Sequence, residues 1–439
     1  MRRSPPSWPR TTPPRSPRCA PGWRRRGSGG CGGPCGTTCR ERGPVTRIRG
    51  WCPSLYDPME SGDGLLVRVK PPLARLSAEQ ALVLAEAAGA AGNGRIELTQ
   101  RANLQVRGLT AARLPGFVAA LRGAGLADPD PGVERRRNLI PPPLPSPAAE
   151  ALCRALEAVL AAAPAALPGK FGLALAEAAE PCPGADIMLR LAAGGVTLRL
   201  AGGEAVARSA AAEAPAAVAR LIAALLDGPP GRMAQAVREQ GAAALFARAG
   251  LTAGASPPPE EAPAGPPVGP SVGPSVGPSV GALAGGFGLG LPFGVMTVPA
   301  LRELAALAAA EGDGSLRLTP WRSVLLPGVR RAAVPGLIDD PADPRLALRA
   351  CPGSEGCASG RAPVRREALA LLGLLRAPPP GLLHLSGCAK GCAHPGPAAL
   401  VLVAEAPGRY ALVRHGRAGD APLAAGLSLA EAAARMEER

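Results

Sequence analysis

Apolar residues fall into two similar passages of the chain, separated by a stretch that keeps no periodicity. In the first passage Leu65, Val67 and Val69 alternate as a half-buried strand does. Ser77 and Gln80 then make a capping-box signature ahead of Ala81, Leu82, Ala85 and Ala88, which predicts a helix. The turn and strand that follow, Gly92-Asn93-Gly94-Arg95-Ile96-Glu97-Leu98-Thr99, return 220 positions later as Gly312-Asp313-Gly314-Ser315-Leu316-Arg317-Leu318-Thr319. Thr297 precedes a second helical face of Leu301, Leu304, Ala305 and Ala308, and Leu104 to Val106 and Val324 to Leu326 supply closing strands. Two βαββ units of similar build are the expectation.

Between them, 152–160 and 214–226 have helical spacing, and 171–175, 187–191 and 196–200 read as strands. Beyond the second repeat come a helix at 365–375 and the apolar strand 399–403. The fold class is therefore α+β. No Gly-x-Gly-x-x-Gly joins a strand to a helix, so a nucleotide-binding Rossmann order is not expected.

Composition changes this picture at two places. Residues 1–45 are a Pro/Arg/Gly-rich run containing Cys31, Cys35 and Cys39, expected to be a disordered extension; translation beginning at Val45 would make it a start-site artefact. Residues 251–286 form a Pro/Gly/Ser/Val linker that ends in Val-Gly-Pro-Ser repeats. The organisation expected is then 46–126 for the first half, 127–250 for a first α/β domain, 287–345 for the second half and 346–439 for a second α/β domain.

The net charge of +15 suggests nucleic acid until its distribution is inspected. Residues 1–50 hold twelve Arg against Glu41 alone, whereas the other 389 positions carry 37 basic and 33 acidic groups. A body so nearly balanced fits a discrete anionic ligand and no nucleic-acid partner. No apolar run reaches the eighteen residues of a membrane span, and no secretory signal opens the chain, so a cytoplasmic location without membrane contact is expected.

Four of the eleven cysteines have a spacing that carries chemistry: Cys351 and Cys357, then Cys388 and Cys392. Two loops rich in glycine, each delivering two thiolates, suit an iron–sulfur cluster. Structural zinc in a non-enzymatic binding module is the alternative, although zinc knuckles use shorter gaps than the five residues between Cys351 and Cys357.

Several motifs together resemble the nitrite and sulfite reductase superfamily. They are Cys52-Pro53-Ser54-Leu55, the segment from Ser61 to Arg68, Leu98-Thr99-Gln100-Arg101, Leu291-Pro292-Phe293-Gly294, Leu318-Thr319-Pro320-Trp321-Arg322, and the segment from Ser386 to Pro395. The resemblance implies two ferredoxin-like halves and two α/β domains, the second holding a [4Fe–4S] cluster on Cys351, Cys357, Cys388 and Cys392. Within the superfamily the match is to the branch that oxygenates the tetrapyrrole precorrin-3A on the aerobic route to cobalamin. That branch implies O2 as co-substrate, a second iron centre (non-haem iron or sirohaem), NADH as indirect electron donor and a separate reductase. It places Arg68, Arg101, Arg137 and Arg322 as substrate-binding residues, with Lys170 and His394 as catalytic candidates. A sirohaem sulfite or nitrite reductase is the neighbouring reading. Gly172 and Lys390 depart from it, since sulfite reductases carry Lys and Asn at those positions.

Overall fold

The structure is a computed structural model that describes residues 53–177, 180–255 and 279–437. The arginine-rich extension with Cys31, Cys35 and Cys39, the residue Cys52 and the Val-Gly-Pro-Ser repeats lie outside the described residues.

Each repeat builds a five-stranded antiparallel sheet, but neither completes it alone. The first sheet orders Met59–Ser61, Gly64–Val69, Leu104–Leu109 and Arg95–Leu98, and its fifth strand is Val295–Thr297 from the other repeat. The second orders Gly281–Leu283, Gly286–Gly290, Ser323–Pro327 and Ser315–Leu318, and receives Arg75–Ser77 in return. Met296 pairs with Ile96, and Leu76 with Leu316, in matching registers. The exchange adds to the two expected βαββ units a strand that each receives from the other. Its cause is local: Pro72 and Pro292 have no N–H to continue a ladder, and the residues after them, Leu73 and Phe293, adopt left-handed φ of 52° and 56°. The chain is thrown sideways onto the opposite sheet.

Helices follow directly. Ser77 Oγ accepts from the Gln80 N–H at 3.0 Å while Gln80 Oε1 accepts from the Ser77 N–H at 2.9 Å, completing the capping box. Helices Ala78–Ala91 and Val298–Glu311 pack against each other, and small residues at the contact let the backbones approach. The buried face is Ala81, Leu84, Ala85 and Ala88; Leu82, expected there, is 41% exposed because helical spacing from Ala81 selects Leu84. One continuous apolar core joins the two halves.

The duplication reaches further than the repeats. In the first α/β domain the strands Leu139–Ile140, Leu173–Glu177 and Ile187–Ala192 run parallel, followed by antiparallel Gly195–Leu200, Val206–Ser209 and Ala253–Gly254. The second repeats that order with parallel Leu348–Ala350, Leu383–Ser386 and Ala398–Ala406, then antiparallel Arg409–Gly416 and Ala424–Leu427. Strands Ala253–Gly254 and Gly281–Leu283 both fall in the span expected to be linker, so regular pairing extends into it from each side.

Candidate functional site

Parallel strands Leu348–Ala350 and Leu383–Ser386 end side by side, and each feeds a cysteine loop at its carboxyl end. Ligand-bearing loops favour that edge of an α/β sheet. Cys351 follows the first strand, Cys357 follows the single 3-10 turn Gly353–Glu355, and Cys388 and Cys392 lie in the loop after the second. Three glycines let the first loop close on itself and the second loop touch it. A Cβ on Gly360 would stand 2.2 Å from the Gly353 carbonyl carbon, and one on Gly387 would stand 3.1 Å from Gly353 Cα and 3.4 Å from Cys351 Sγ. Only glycine permits this approach.

All four sulfurs share one electrostatic neighbourhood. Burial pushes the Cys392 thiol up, and Cys388, Cys351 and Cys357 push it further, opposed by Lys390. Burial also raises Cys351, against which the N–H groups of Gly387 and Gly353 act to favour thiolate; the Gly387 N–H donates to Cys351 Sγ at 3.2 Å. A cluster would displace the thiol protons, and such N–H donors stabilise the sulfur charge that results. Among the described residues no three His, Cys, Asp or Glu side chains close round a point as a single metal ion requires.

A hairpin from the first half clamps the Cys357 loop. The turn Ser61–Gly64 lays Gly62 against the backbone of Cys357, where a Cβ would meet its nitrogen at 3.1 Å. Ser61 Oγ donates to the Gly356 carbonyl at 2.7 Å, and Arg107 Nη2 donates to the same oxygen. Asp63 holds Arg107 through two bonds of 3.0 Å. Buried Glu97 receives Arg365 at 2.7 Å and Gln105 at 3.2 Å, and Gln105 Oε1 in turn accepts from Arg68 at 2.8 Å. Arg68 Nε is buried without a partner. The expected substrate residue thus has a free donor and a hydrogen-bonded link through Gln105 and Glu97 to Arg365, in the helix that follows the first cysteine loop.

The other expected residues divide into two groups. Arg101 Nη1 donates to the Lys170 backbone carbonyl at 3.1 Å, and Asn138 donates to the neighbouring Gly169 carbonyl at 3.3 Å. Arg137 is committed elsewhere: it pairs with Glu134 at 2.8 Å and donates to the carbonyls of Lys70 and Leu126. Arg322 adopts φ 62°, donates to the Ala393 carbonyl at 2.7 Å and leaves Nη1 buried and unpartnered. His394 stands at the end of the same loop, its Nε2 at 3.0 Å from the Pro397 carbonyl, with its ring 5.9 Å from His384. Exposed His415 takes no part.

Sequence reading overlooked Arg107, Glu97 and Arg349, and gave His384, one of the three imidazoles, no role. A signal existed for two of them. Leu348-Arg349-Ala350 and Leu383-His384-Leu385 each place one polar residue in an apolar strand immediately before a cysteine loop, and such an interruption costs stability unless it serves a site.

Comparison with known proteins agrees with this geometry. Residues 57–124 and 285–343 match the model for the nitrite/sulfite reductase ferredoxin-like half domain. A precorrin-3B synthase from Sinorhizobium sp is 33% identical over 411 residues, covering 86% of this chain and 85% of the relative. A ferredoxin–nitrite reductase from Synechococcus elongatus is 27% identical over 395 residues, covering 79% and 77%. The solved structure of the Mycobacterium tuberculosis NirA protein superposes with a TM-score of 0.55 at 18% identity, over 83% of this chain and 76% of that one. It shares the fold.

Proposed function

Because this chain belongs to the precorrin-3B synthase family of the nitrite and sulfite reductase superfamily, we propose that it is a monooxygenase converting precorrin-3A to precorrin-3B. One oxygen atom enters a meso carbon and a ring acetate closes as a γ-lactone. The likeness to a precorrin-3B synthase along nearly the whole of both chains carries this reading.

Cys351, Cys357, Cys388 and Cys392 would hold a [4Fe–4S] cluster. The residues fit that group: the donor set is all sulfur, it comes from two loops, and a glycine seam brings them together. Once bound, the cluster supplies single electrons, and a second iron centre, non-haem iron or sirohaem, supplies the oxygen chemistry. The chain's own residues position and neutralise. Arg68, Arg101 and Arg322 grip substrate carboxylates, since guanidinium forks match carboxylate geometry. Arg137 acts at one remove, holding Glu134 and the Lys70 backbone in place. Lys170 and His394 are the groups placed to hold a proton near the macrocycle. NADH would reach the site through a separate reductase, and O2 is the co-substrate.

Support for the zinc-scaffold alternative is weak, because the five-residue gap between Cys351 and Cys357 is longer than the two to four residues of zinc knuckles. A sirohaem nitrite reductase is favoured by the likeness to the Synechococcus protein, and opposed by Gly172, whose absent side chain removes an anion-gripping lysine. Among the described residues no helix is long and apolar enough to cross a membrane, in keeping with a cytoplasmic enzyme.

The test is incubation of anaerobically purified protein with precorrin-3A, a reductant and dioxygen. Product one oxygen heavier is expected, with iron and acid-labile sulfide in the protein. Equal turnover without dioxygen overturns the proposal, as does rapid nitrite-dependent oxidation of a reduced dye together with a Soret band.

A further inference from the structure

Parallel register sets Arg349 directly beside His384 on one face of the cysteine-loop sheet. Their neighbours Leu348, Ala350, Leu383 and Leu385 turn the other way into the apolar core, so the two polar side chains share the face opposite to that core. Arg349 is 6% exposed and His384 fully buried. Arg322 reaches the same corner from its left-handed turn, donating to the Ala393 carbonyl, and His394 lies edge-on across His384.

Four basic side chains therefore meet with little to balance them. Arg349 spends Nη1 on the carbonyls of Leu346 and Leu348, and among the described residues no carboxylate pairs with it or with Arg322. Glu97, the acid that reaches Arg322, is already taken by Arg365. Three buried polar atoms have no partner at all: both ring nitrogens of His384 and Nη1 of Arg322. Buried cations and unpaired donors cost several kcal/mol each unless an anion answers them. Guanidinium groups keep their charge in proteins, so Arg349 and Arg322 face this corner as cations. The histidine is held neutral, its pKa lowered to about 3 by burial and by His394, Arg322 and Arg349.

We propose that His384, Arg322 and Arg349 form a seat for one carboxylate of the tetrapyrrole substrate, with His394 as its cover. Arg322 Nη1 and one His384 N–H donate to the carboxylate, and Arg349 supplies the opposing charge. His394 is partly exposed, and the one hydrogen bond of its ring goes to Pro397 within its own loop, so it is the member placed to swing aside. The seat rests on the functional reading above and deepens it. It assigns a carboxylate contact to the cysteine domain, apart from Arg68, Arg101 and Lys170.

Uroporphyrin III, a stable tetrapyrrole octacarboxylate, is the probe. Fluorescence titration of the full-length protein is expected to give dissociation constants at least tenfold higher in His384→Leu and Arg349→Met. Arg349→Lys, which keeps the charge, and Arg361→Gln, on the exposed side of the same domain, stay within threefold of wild type. In 15N-histidine-labelled wild-type protein the His384 ring resonances shift on adding uroporphyrin, which keeps the test open should Arg349→Met fail to fold. Wild-type affinity in both neutralising variants overturns the seat, as do unmoved His384 resonances. Iron lost from His384→Leu with porphyrin affinity intact also overturns it and gives the imidazole to a metal. Wild-type protein that ignores uroporphyrin overturns the functional reading itself, and the seat with it.

Discussion

Adding a single methyl group at Gly353, Gly360 or Gly387 should disturb the cysteine loops by graded amounts, since the first two positions close the Cys351–Cys357 loop on itself and Gly387 seats the second loop against it. At Gly360 the new carbon would meet the Gly353 carbonyl carbon at 2.2 Å and its oxygen at 2.5 Å, both rigid backbone. At Gly353 it would meet the Ala362 carbonyl oxygen at 2.2 Å, and φ of 62° adds left-handed strain of about 1–2 kcal/mol. At Gly387 the nearest atoms are at 3.1, 3.3 and 3.4 Å, a compression of a few tenths of an ångström. Overpacking of this kind costs about 1–3 kcal/mol where neighbours can yield and more where they cannot. Gly387→Ala should therefore lose about 1–3 kcal/mol and keep part of its cluster, whereas Gly360→Ala and Gly353→Ala should exceed about 3 kcal/mol and lose most of it. Thermal unfolding followed by circular dichroism measures the first quantity, and iron with acid-labile sulfide per chain measures the second. A drop of about 2–4 °C per kcal/mol is the scale to expect for a body of this size or a little less. If Gly360→Ala melts with wild type and carries full iron and sulfide, the first cysteine loop does not close on Gly353 in this way and the reasoning fails.

Three further outcomes follow from other parts of the molecule. Arg107→Met takes one of two donors from the Gly356 carbonyl and the guanidinium from Asp63, leaving the bonds from Ser61 and Asn93, so a loss of about 1–3 kcal/mol is expected by denaturant melt; an unchanged midpoint would contradict the clamp. Leu76→Ala and Met296→Ala empty equivalent positions in the two exchanged strands, 0% and 2% exposed, and each should cost about 2–5 kcal/mol; a variant that loses nothing would show its strand to be dispensable. Burial pushes the Cys153 thiol up to about 12 from an unfolded value of 9.0. The folded chain then holds the proton longer, so stability is undiminished below pH 9 and falls by up to about 1.4 kcal/mol per unit above it. Cys153→Ala should flatten that alkaline limb, and in the native wild type Cys153 should resist iodoacetamide at pH 8. Rapid labelling would refute its burial.

Local chemistry was legible in the chain wherever it is written in neighbouring residues. The capping box at Ser77 and Gln80, the turns repeated at Gly94 and Gly314, and the two cysteine pairs depend on spacings of a few positions. Such spacings fix hydrogen bonds and loop shapes before any tertiary contact forms. The helix over 214–226 was likewise set by its own periodicity. Leu82 was misplaced because alanine-rich helices offer little contrast between faces, and only the partner helix decides which side is buried.

What the tertiary structure alone decided lies between distant segments. Nothing in Arg75–Ser77 says that it will pair with Ser315–Leu318, since a three-residue strand has no preference until a sheet edge presents itself. The clamp of Arg107 and Ser61 on Gly356 joins residues 249 and 295 positions apart, and the corner of Arg322, Arg349 and His384 gathers three segments round charge that no short window reveals. Sequence names the donors; the pairing of sheet edges and the burial of unbalanced charge determine which donors meet, because both are properties of the assembled interior.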